Sequence, residues 1–399
     1  MSEWKECKLG DLINEGTAKL QTGPFGTMLN ASEYVSNGIP VIAVQDIADN
    51  KLIHHKFVYV DIETASRLSR YCVKENDIIF GRKGAVERRA IIKKSEEGWL
   101  QGSDCIRLRF TELIYPQFIS YQFGSQMYKD WMAQNSTGAT MPSLNQDVLK
   151  QLPIRFPTFS EQKSIAQVLS SIDNKIDLLH RQNATLEAMA ETLFRQWFVE
   201  ETKEDWEEGV LDDVISVKGG TTPSTKEPKY WNGTIHWSTP RDLSNHVSVF
   251  LFNTERKITK EGLSQIGSGL LPKGTVLLSS RAPIGYLAIS EIPVAINQGY
   301  IAITCDKIVS NYFIYLWCKQ NMTEIENSGN GSTFQEISKS VFKQMAILIP
   351  PKTKLDDFDK TIDPVFSKIK TNQTQIRTLT TLRDTLLPKL MSGEVRVAF

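Results

Sequence analysis

What most restricts the fold of this chain is that it is written twice. Trp4-Lys5-Glu6-Cys7-Lys8-Leu9-Gly10-Asp11-Leu12 is answered by Trp206-Glu207-Glu208-Gly209-Val210-Leu211-Asp212-Asp213-Val214. Further on, Asn76-Asp77-Ile78-Ile79-Phe80-Gly81-Arg82 parallels Lys273-Gly274-Thr275-Val276-Leu277-Leu278-Ser279-Ser280-Arg281, each an apolar strand ending in small residues and an arginine. Gln101-Gly102 is matched by Gln298-Gly299, and Asn135-Ser136-Thr137-Gly138-Ala139-Thr140 by Asn327-Ser328 with Gly331-Ser332-Thr333. The order is kept throughout, so both halves must fold alike.

Each half then closes on an apolar strand ending in proline, Leu152–Pro157 and Ala346–Pro351, followed by a long polar segment with apolar residues at heptad spacing. In the first, Ile165, Ile172, Leu179, Leu186 and Leu193 interleave with Leu169, Ile176, Asn183, Ala190 and Trp197. In the second, Phe358, Val365, Asn372, Leu379 and Leu386 interleave with Ile362, Ile369, Ile376, Arg383 and Leu390. Steps of four and three place these side chains on one stripe, the mark of a coiled-coil seam. Ser160, followed by Glu161 and Gln162, predicts the start of the first helix. Counted along the seam, Asn183 and Asn372 fall opposite one another in a fully overlapped antiparallel pair. The expectation is a buried polar layer that fixes register.

The layout is globular unit (1–157), helix (158–200), globular unit (201–351), helix (352–399). Runs such as Phe57-Val58-Tyr59-Val60 and Thr275-Val276-Leu277-Leu278 predict strands, whereas Phe118 to Met132 and Tyr312 to Met322 predict amphipathic helices. The fold class is therefore α+β, two pseudo-repeated mixed α/β domains separated by two long helices that form an antiparallel coiled coil. A helix of about 35 residues is roughly 50 Å long. Such a rod with a domain at each end suits contacts one B-DNA turn of about 34 Å or slightly more apart.

Bulk composition narrows the function by exclusion. The 399 residues carry 46 basic and 46 acidic side chains, with 23 and 24 of them in residues 1–200, so neither half is a basic nucleic-acid tail. If the chain binds DNA, its positive charge is concentrated on one face or a partner supplies it. Cys7, Cys72, Cys105, Cys305 and Cys318 are scattered and odd in number, which predicts reduced thiols and neither disulfides nor zinc. No apolar run approaches the roughly 20 residues that span a bilayer, and MSEWKECKLG lacks a signal-peptide layout, so a cytoplasmic location is expected.

Catalytic constellations are missing from the sequence. There is no GxxxxGK[ST] and no HExxH, and His54, His55, His180, His236 and His246 have no ligand-like spacing, so neither catalytic nor metal-ligating residues are assigned. Asp363-Pro364-Val365-Phe366 faintly resembles the Asp/Asn-Pro-Pro-Tyr/Phe loop of amino-methyltransferases, but it lacks the second proline and lies within the heptads, which predicts helix. Lys218-Gly219-Gly220 predicts a tight turn. After it comes TTPSTKEPKYWNGTIHWSTPRDL, Thr221 to Leu243, whose Tyr230, Trp231 and Trp237 suit either packing anchors or a stacking platform; the parallel with the first half favours anchors.

Gly219-Gly220-Thr221-Thr222-Pro223-Ser224 leading to Tyr230-Trp231-Asn232-Gly233-Thr234-Ile235-His236-Trp237 resembles the specificity subunit of type I restriction-modification systems. So do Gln21-Thr22-Gly23-Pro24-Phe25-Gly26, Leu193-Phe194-Arg195-Gln196-Trp197-Phe198 and Leu386-Leu387-Pro388-Lys389-Leu390-Met391-Ser392-Gly393-Glu394-Val395. The likeness covers nearly the whole chain. It implies two target recognition domains, each reading one half of a split asymmetric double-stranded DNA site, with no chemistry of their own. It implies as partners two methyltransferase subunits that modify adenine with S-adenosylmethionine, and restriction subunits that translocate and cut DNA with ATP and Mg²⁺.

Base edges are read by hydrogen bonds, so loop hydroxyls, amides and guanidiniums are the candidate DNA contacts. In the first domain these are Thr22, Arg82, Lys83, Arg88, Arg89, Gln101, Ser103 and Thr140. In the second they are Lys218, Thr221, Thr222, Ser224, Arg241, Ser280, Arg281, Gln298, Tyr300 and Thr333. Arg82-Lys83 and Arg281 follow matched strands, which favours phosphate contact over base readout. The rival reading is a structural coiled-coil adaptor whose duplicated domains bind proteins or glycans.

Overall fold

The computed structural model describes residues 4–53, 57–111, 113–138, 142–244, 248–331 and 335–397. Two compact units emerge, Met1–Lys175 with Leu379–Phe399, and Ile176–Thr378. Each contains one globular repeat and a stretch of both long helices.

In the first unit Lys5–Lys8 pairs antiparallel with Pro153–Phe156, setting Cys7 opposite Ile154. A five-stranded sheet follows in the order Ala18–Thr22, Cys105–Phe110, Ile78–Gly81, Arg89–Ile91, Asp49–Asn50. The run Ile78-Ile79-Phe80 is wholly buried because this central strand is covered on both faces. Ile78 and Phe80 pack with Phe118, Ile119 and Phe123 of the helix Pro116–Phe123. Ile79, pointing the other way, packs with Ile42 and Ile47. A second sheet runs Tyr34–Val35, Val58–Val60, Ile39–Ile42, Leu100–Gln101.

The second unit repeats this plan. Glu207–Val210 pairs with Ala346–Ile349. Its five-stranded sheet has the same order, Ser216–Gly219, Tyr300–Thr304, Val276–Ser280, Ile284–Ser290, Phe250–Leu251. Its smaller sheet has three strands, Arg256–Ile258, Trp231–Ser238 and Val294–Ile296. The fold is thus mixed α/β, duplicated, with long helices, as the sequence predicts.

The helix expected over Phe118–Met132 is two, Pro116–Phe123 and Gln126–Asn135. The residue after the first of them is glycine for a steric reason: a Cβ at Gly124 would lie 2.1 Å from Nη2 of Arg89, whose buried guanidinium needs that space. The segment around Tyr312–Met322 likewise divides into Asn311–Gln320 and Met322–Asn327.

The long helices span Phe159–Arg195, 37 residues continued by a π turn at Gln196–Glu200, and Lys352–Ser392, 41 residues. Thr158 caps the first, rather than Ser160: its carbonyl accepts from Gln162 at 2.9 Å and its hydroxyl from the Glu161 amide at 3.5 Å. Asp363-Pro364 lies inside the second. Within the first unit the helices meet through Leu169 and Leu390 in one core and through an Arg383–Asp173 ion pair of 3.0 Å. In the second unit, Asn372 Nδ2 donates to Asn183 Oδ1 at 2.9 Å. Fourteen residues further along the first helix, Trp197 packs on Phe358, fourteen residues back along the second. The helices there run in opposite directions.

Candidate nucleic-acid interface

In each repeat one rim collects the loops at the same end of the larger sheet. In the first unit the strand Ala18–Thr22 ends at Thr22, whose hydroxyl accepts from Gln146 Nε2 at 2.9 Å. The chain then turns at Gly23, where a Cβ would lie 1.8 Å from the Gly102 carbonyl oxygen, so these backbones touch only because residue 23 is glycine. Arg82 leaves the central strand with its amide on the Asp104 carbonyl (2.7 Å) and its carbonyl held by the Leu144 amide (2.8 Å). Lys83 Nζ stands 3.3 Å from the Asp104 carboxylate. Ser103 and Arg88 are exposed beside them in sequence.

The second unit builds the same rim from different side chains. The Thr221 amide donates to the Ile296 carbonyl at 3.1 Å, and a Cβ on Gly220 would lie 2.0 Å from that oxygen. Thr222 Oγ1 donates to Gln298 Oε1 at 2.7 Å, and the Ser280 amide donates to the Gly299 carbonyl at 2.9 Å. Arg281 Nη1 pairs with Glu336 at 3.3 Å. Lys218, Thr221, Ser224 and Gln298 are exposed. Arg241 is 81% exposed and lies 3.6 Å from Glu255.

The aromatics of the Thr221–Leu243 segment hold this rim from beneath. Trp231 Nε1 donates to the Ser224 carbonyl at 3.0 Å and Trp237 Nε1 to the Thr221 carbonyl at 3.3 Å. Both indoles are buried, edge to face with centroids 5.0 Å apart, and the Arg256 guanidinium caps Trp231 at 3.6 Å. Tyr230 packs partly buried against them. Buried indoles need acceptors, and here the loop backbone supplies them.

Four of the expected contact residues are turned inward. Arg89 is buried, its guanidinium donating to the Ser120 carbonyl and the Asp49 carboxylate. Gln101 is fully buried and donates to the carbonyls of Gln21 and Cys105, both at 2.8 Å. Ser280 is buried within the sheet. Tyr300 is buried with its hydroxyl on the Thr239 carbonyl at 2.7 Å, and burial pushes its phenol well above the usual range. These four support the rim without facing solvent. Thr140 and Thr333 lie outside the described residues.

Sequence reasoning missed residues that border the rim: Gln146, which bonds Thr22, and Lys339, whose Nζ would lie 2.6 Å from a Cβ on Gly219. Gln146 and Lys339 each open a short helix capped by the residue before it, Asn145 accepting from the Val148 amide and Ser338 from the Val341 amide. Reading Asn145 and Ser338 as N-caps would have placed both. Asp104 and Glu336 had no signal, because which acid faces a cation depends on tertiary pairing. Among the described residues no group of His, Cys, Asp or Glu could hold a metal ion, all five cysteines are free, and no helix is long and apolar enough to cross a membrane.

A family model described as Type I restriction modification DNA specificity domain matches residues 1–188 and 203–381, and the chain belongs to this family. It is 40% identical over 162 residues to the type I restriction enzyme MjaIX specificity subunit of Methanocaldococcus jannaschii, covering 40% of this chain and 38% of that one. It is 20% identical to the HindI specificity subunit of Haemophilus influenzae, over 99% of this chain and 100% of the relative. In fold it is similar to the S subunit of a type I restriction-modification system from M. genitalium, with a TM-score of 0.63 over 97% of this chain and 96% of that one at 16% identity.

Proposed function

We propose that this chain is the non-catalytic DNA-specificity subunit of a type I restriction-modification complex, acting in the cytoplasm. Each recognition domain reads one half of a bipartite asymmetric site, and the chain recruits two adenine-methyltransferase subunits together with restriction subunits. On this reading it binds no cofactor itself; S-adenosylmethionine, ATP and Mg²⁺ serve the partner subunits.

The observation that supports this reading most is the rim built twice on one frame with its hydrogen-bonding groups in different places. A cation follows the central strand in both, as Lys83 and Arg281, while the glutamine that bonds the rim threonine comes from different places: Gln146, opening a short helix, donates to Thr22, whereas Gln298, two residues before the strand Tyr300–Thr304, accepts from Thr222, and Lys339 opens the short helix of the second unit. Phosphate contacts position a protein on the duplex and base contacts specify. A shared cation with amides and hydroxyls set in different places suits two half-sites of different sequence.

The test mixes the chain with its co-encoded methyltransferase subunit, measures DNA binding by filter retention across salt concentrations, and maps methylated adenines in the host genome. Two methylated half-sites at a fixed spacing, together with salt-sensitive and sequence-preferring binding, are expected. Binding that shows no sequence preference would favour the coiled-coil adaptor.

A further inference from the structure

One place on the rim changes character between the two units. Lys83, which follows the central strand of the first unit, bridges to Ser143, and Arg281 in the second unit bridges to Glu336. Three residues past each bridge, Gln146 and Lys339 open a short helix, Gln146–Lys150 and Lys339–Lys343. The strand end beside each of them is matched as well: Thr22 stands opposite Ile106, and Gly219 opposite Ile301. Ile106 in turn faces Phe80 and Ile301 faces Leu278, each three residues before the cation. Residues 22 with 146 and 219 with 339 therefore form one slot, built twice.

The slot is filled in opposite ways. In the first unit Gln146 Nε2 donates to Thr22 Oγ1 at 2.9 Å, and both side chains are half-buried. That bond leaves the amide its carbonyl oxygen and a second N–H, a neighbouring acceptor and donor. In the second unit Lys339 lies over the strand end, where residue 219 has no side chain: a Cβ on Gly219 would stand 2.6 Å from Nζ, 2.9 Å from Cε and 3.0 Å from Cδ. The φ of Gly219 is outside the left-handed region, so the backbone does not demand glycine there, whereas the path of the lysine does. Lys339 is exposed and has no hydrogen-bond or ion-pair partner among the described residues. It presents donors and no acceptor.

A phosphate contact and a base contact leave different marks on a duplicated frame. The backbone of the duplex is alike at every half-site, so a cation that serves it can be kept in both rims, as at Lys83 and Arg281. A position at which the charge itself changes between rims suits the part of DNA that changes, the base edge. An amide reads adenine through its N6 donor and N7 acceptor, and a lysine reads guanine through its O6 and N7 acceptors. We propose that residues 146 and 339 are corresponding base-reading positions, the Gln146–Thr22 pair specifying an adenine in one half-site and Lys339, given room by Gly219, specifying a guanine in the other. The proposal rests on the reading of each rim as the reader of one half-site.

The test uses the 399-residue chain with its co-encoded methyltransferase subunit, in competition binding against duplexes in which each base pair of the two mapped half-sites is replaced in turn. In the unaltered complex, replacing one G·C pair of the second half-site should weaken binding about tenfold to a hundredfold, as should replacing one A·T pair of the first. Lys339→Met keeps the length of the stem and should abolish discrimination at that G·C pair while every other position behaves as before. Gly219→Thr with Lys339→Gln installs the pair of the first unit and should move the preference at that position from guanine to adenine. Thr22→Gly with Gln146→Lys should make the opposite change in the first half-site. Discrimination at the half-site of the untouched domain, read on the same molecules, shows that each variant is folded and assembled. A loss shared equally by all sequences would assign Lys339 to a phosphate and overturn the proposal, as would unchanged preferences in all three variants. An unaltered complex without a bipartite preference would overturn the half-site reading and this proposal with it.

Discussion

Asn372 donates its side-chain amide to Asn183 at 2.9 Å, in a layer flanked along the seam by Leu179 and Leu186 on one helix and Ile369 and Ile376 on the other. The pair is not fully satisfied, since the Asn372 Oδ1 is buried with no hydrogen-bond partner among the described residues. A half-satisfied buried amide pair lowers stability relative to an aliphatic layer, and its benefit is selectivity. Asn183→Leu alone should therefore cost about 1–3 kcal/mol, because it strands the Asn372 donor. Asn183→Leu with Asn372→Leu should recover that loss or exceed the starting stability. Urea denaturation measures both, and a single variant as stable as the unaltered chain would contradict the account.

The two arginines on or near the matched strands should behave differently. Arg281 is partly exposed and paired with Glu336 at the surface, so Arg281→Ala should weaken DNA binding about equally for all sequences. The slope of log affinity against log salt should fall in magnitude by about 0.9 for each phosphate that the protein no longer neutralises. Arg89 is buried, and burial pulls its guanidinium down from the usual range despite the Asp49 carboxylate. Arg89→Met should leave the salt slope unchanged and alter unfolding instead. Filter binding in the presence of the methyltransferase subunit, with a parallel melt, separates the two.

Trp231→Phe preserves most of the buried ring while removing the donor that holds the Ser224 carbonyl. Loss of one such bond should cost about 1 kcal/mol. The larger consequence should be local, because the Thr221–Ser224 loop loses its anchor. On the proposed reading of one half-site per domain, methylation at the half-site of the second domain should fall while that at the first is unchanged, and sequencing of modified adenines from cells carrying the variant reads both together. Equal loss at both half-sites would assign Trp231 a global structural role.

Much of the fold was legible because it was encoded in periodicity and repetition. Heptad spacing placed the seam residues, and the offset of Asn183 from Asn372 gave their register without any tertiary information. The rim was legible only in outline. Matched strands place Lys83 and Arg281 at the rim, but the same logic also selected Arg89, Gln101, Ser280 and Tyr300, which point inward. A strand alternates its faces residue by residue, and at a strand end one residue separates a solvent-facing side chain from a buried one. The interior partners, Asp49 for Arg89 and the Gln21 carbonyl for Gln101, come from distant segments that only the folded chain brings together.

Tyr300 offers a titration test of this inward placement. Its phenol is pushed up by burial, and the hydroxyl donates to Thr239 within the protein. A group whose pKa is raised on folding stabilises the native state fully below its unfolded value, about 10 for tyrosine, and loses that contribution as pH rises toward the folded value. Tyr300→Phe removes both the hydrogen bond and the titration. At about pH 8 the variant should be less stable by about 1 kcal/mol. Above about pH 10 the unaltered chain should lose this advantage, because its unfolded state ionises at Tyr300 and the folded state does not. Tyr121, Tyr128, Tyr312 and Tyr315, also raised by burial, are present in both proteins and cancel in the difference. Thermal melts of the pair at about pH 8 and about pH 11 should show the gap narrow. A gap that stayed constant would mean that the Tyr300 hydroxyl reaches solvent and ionises equally in both states.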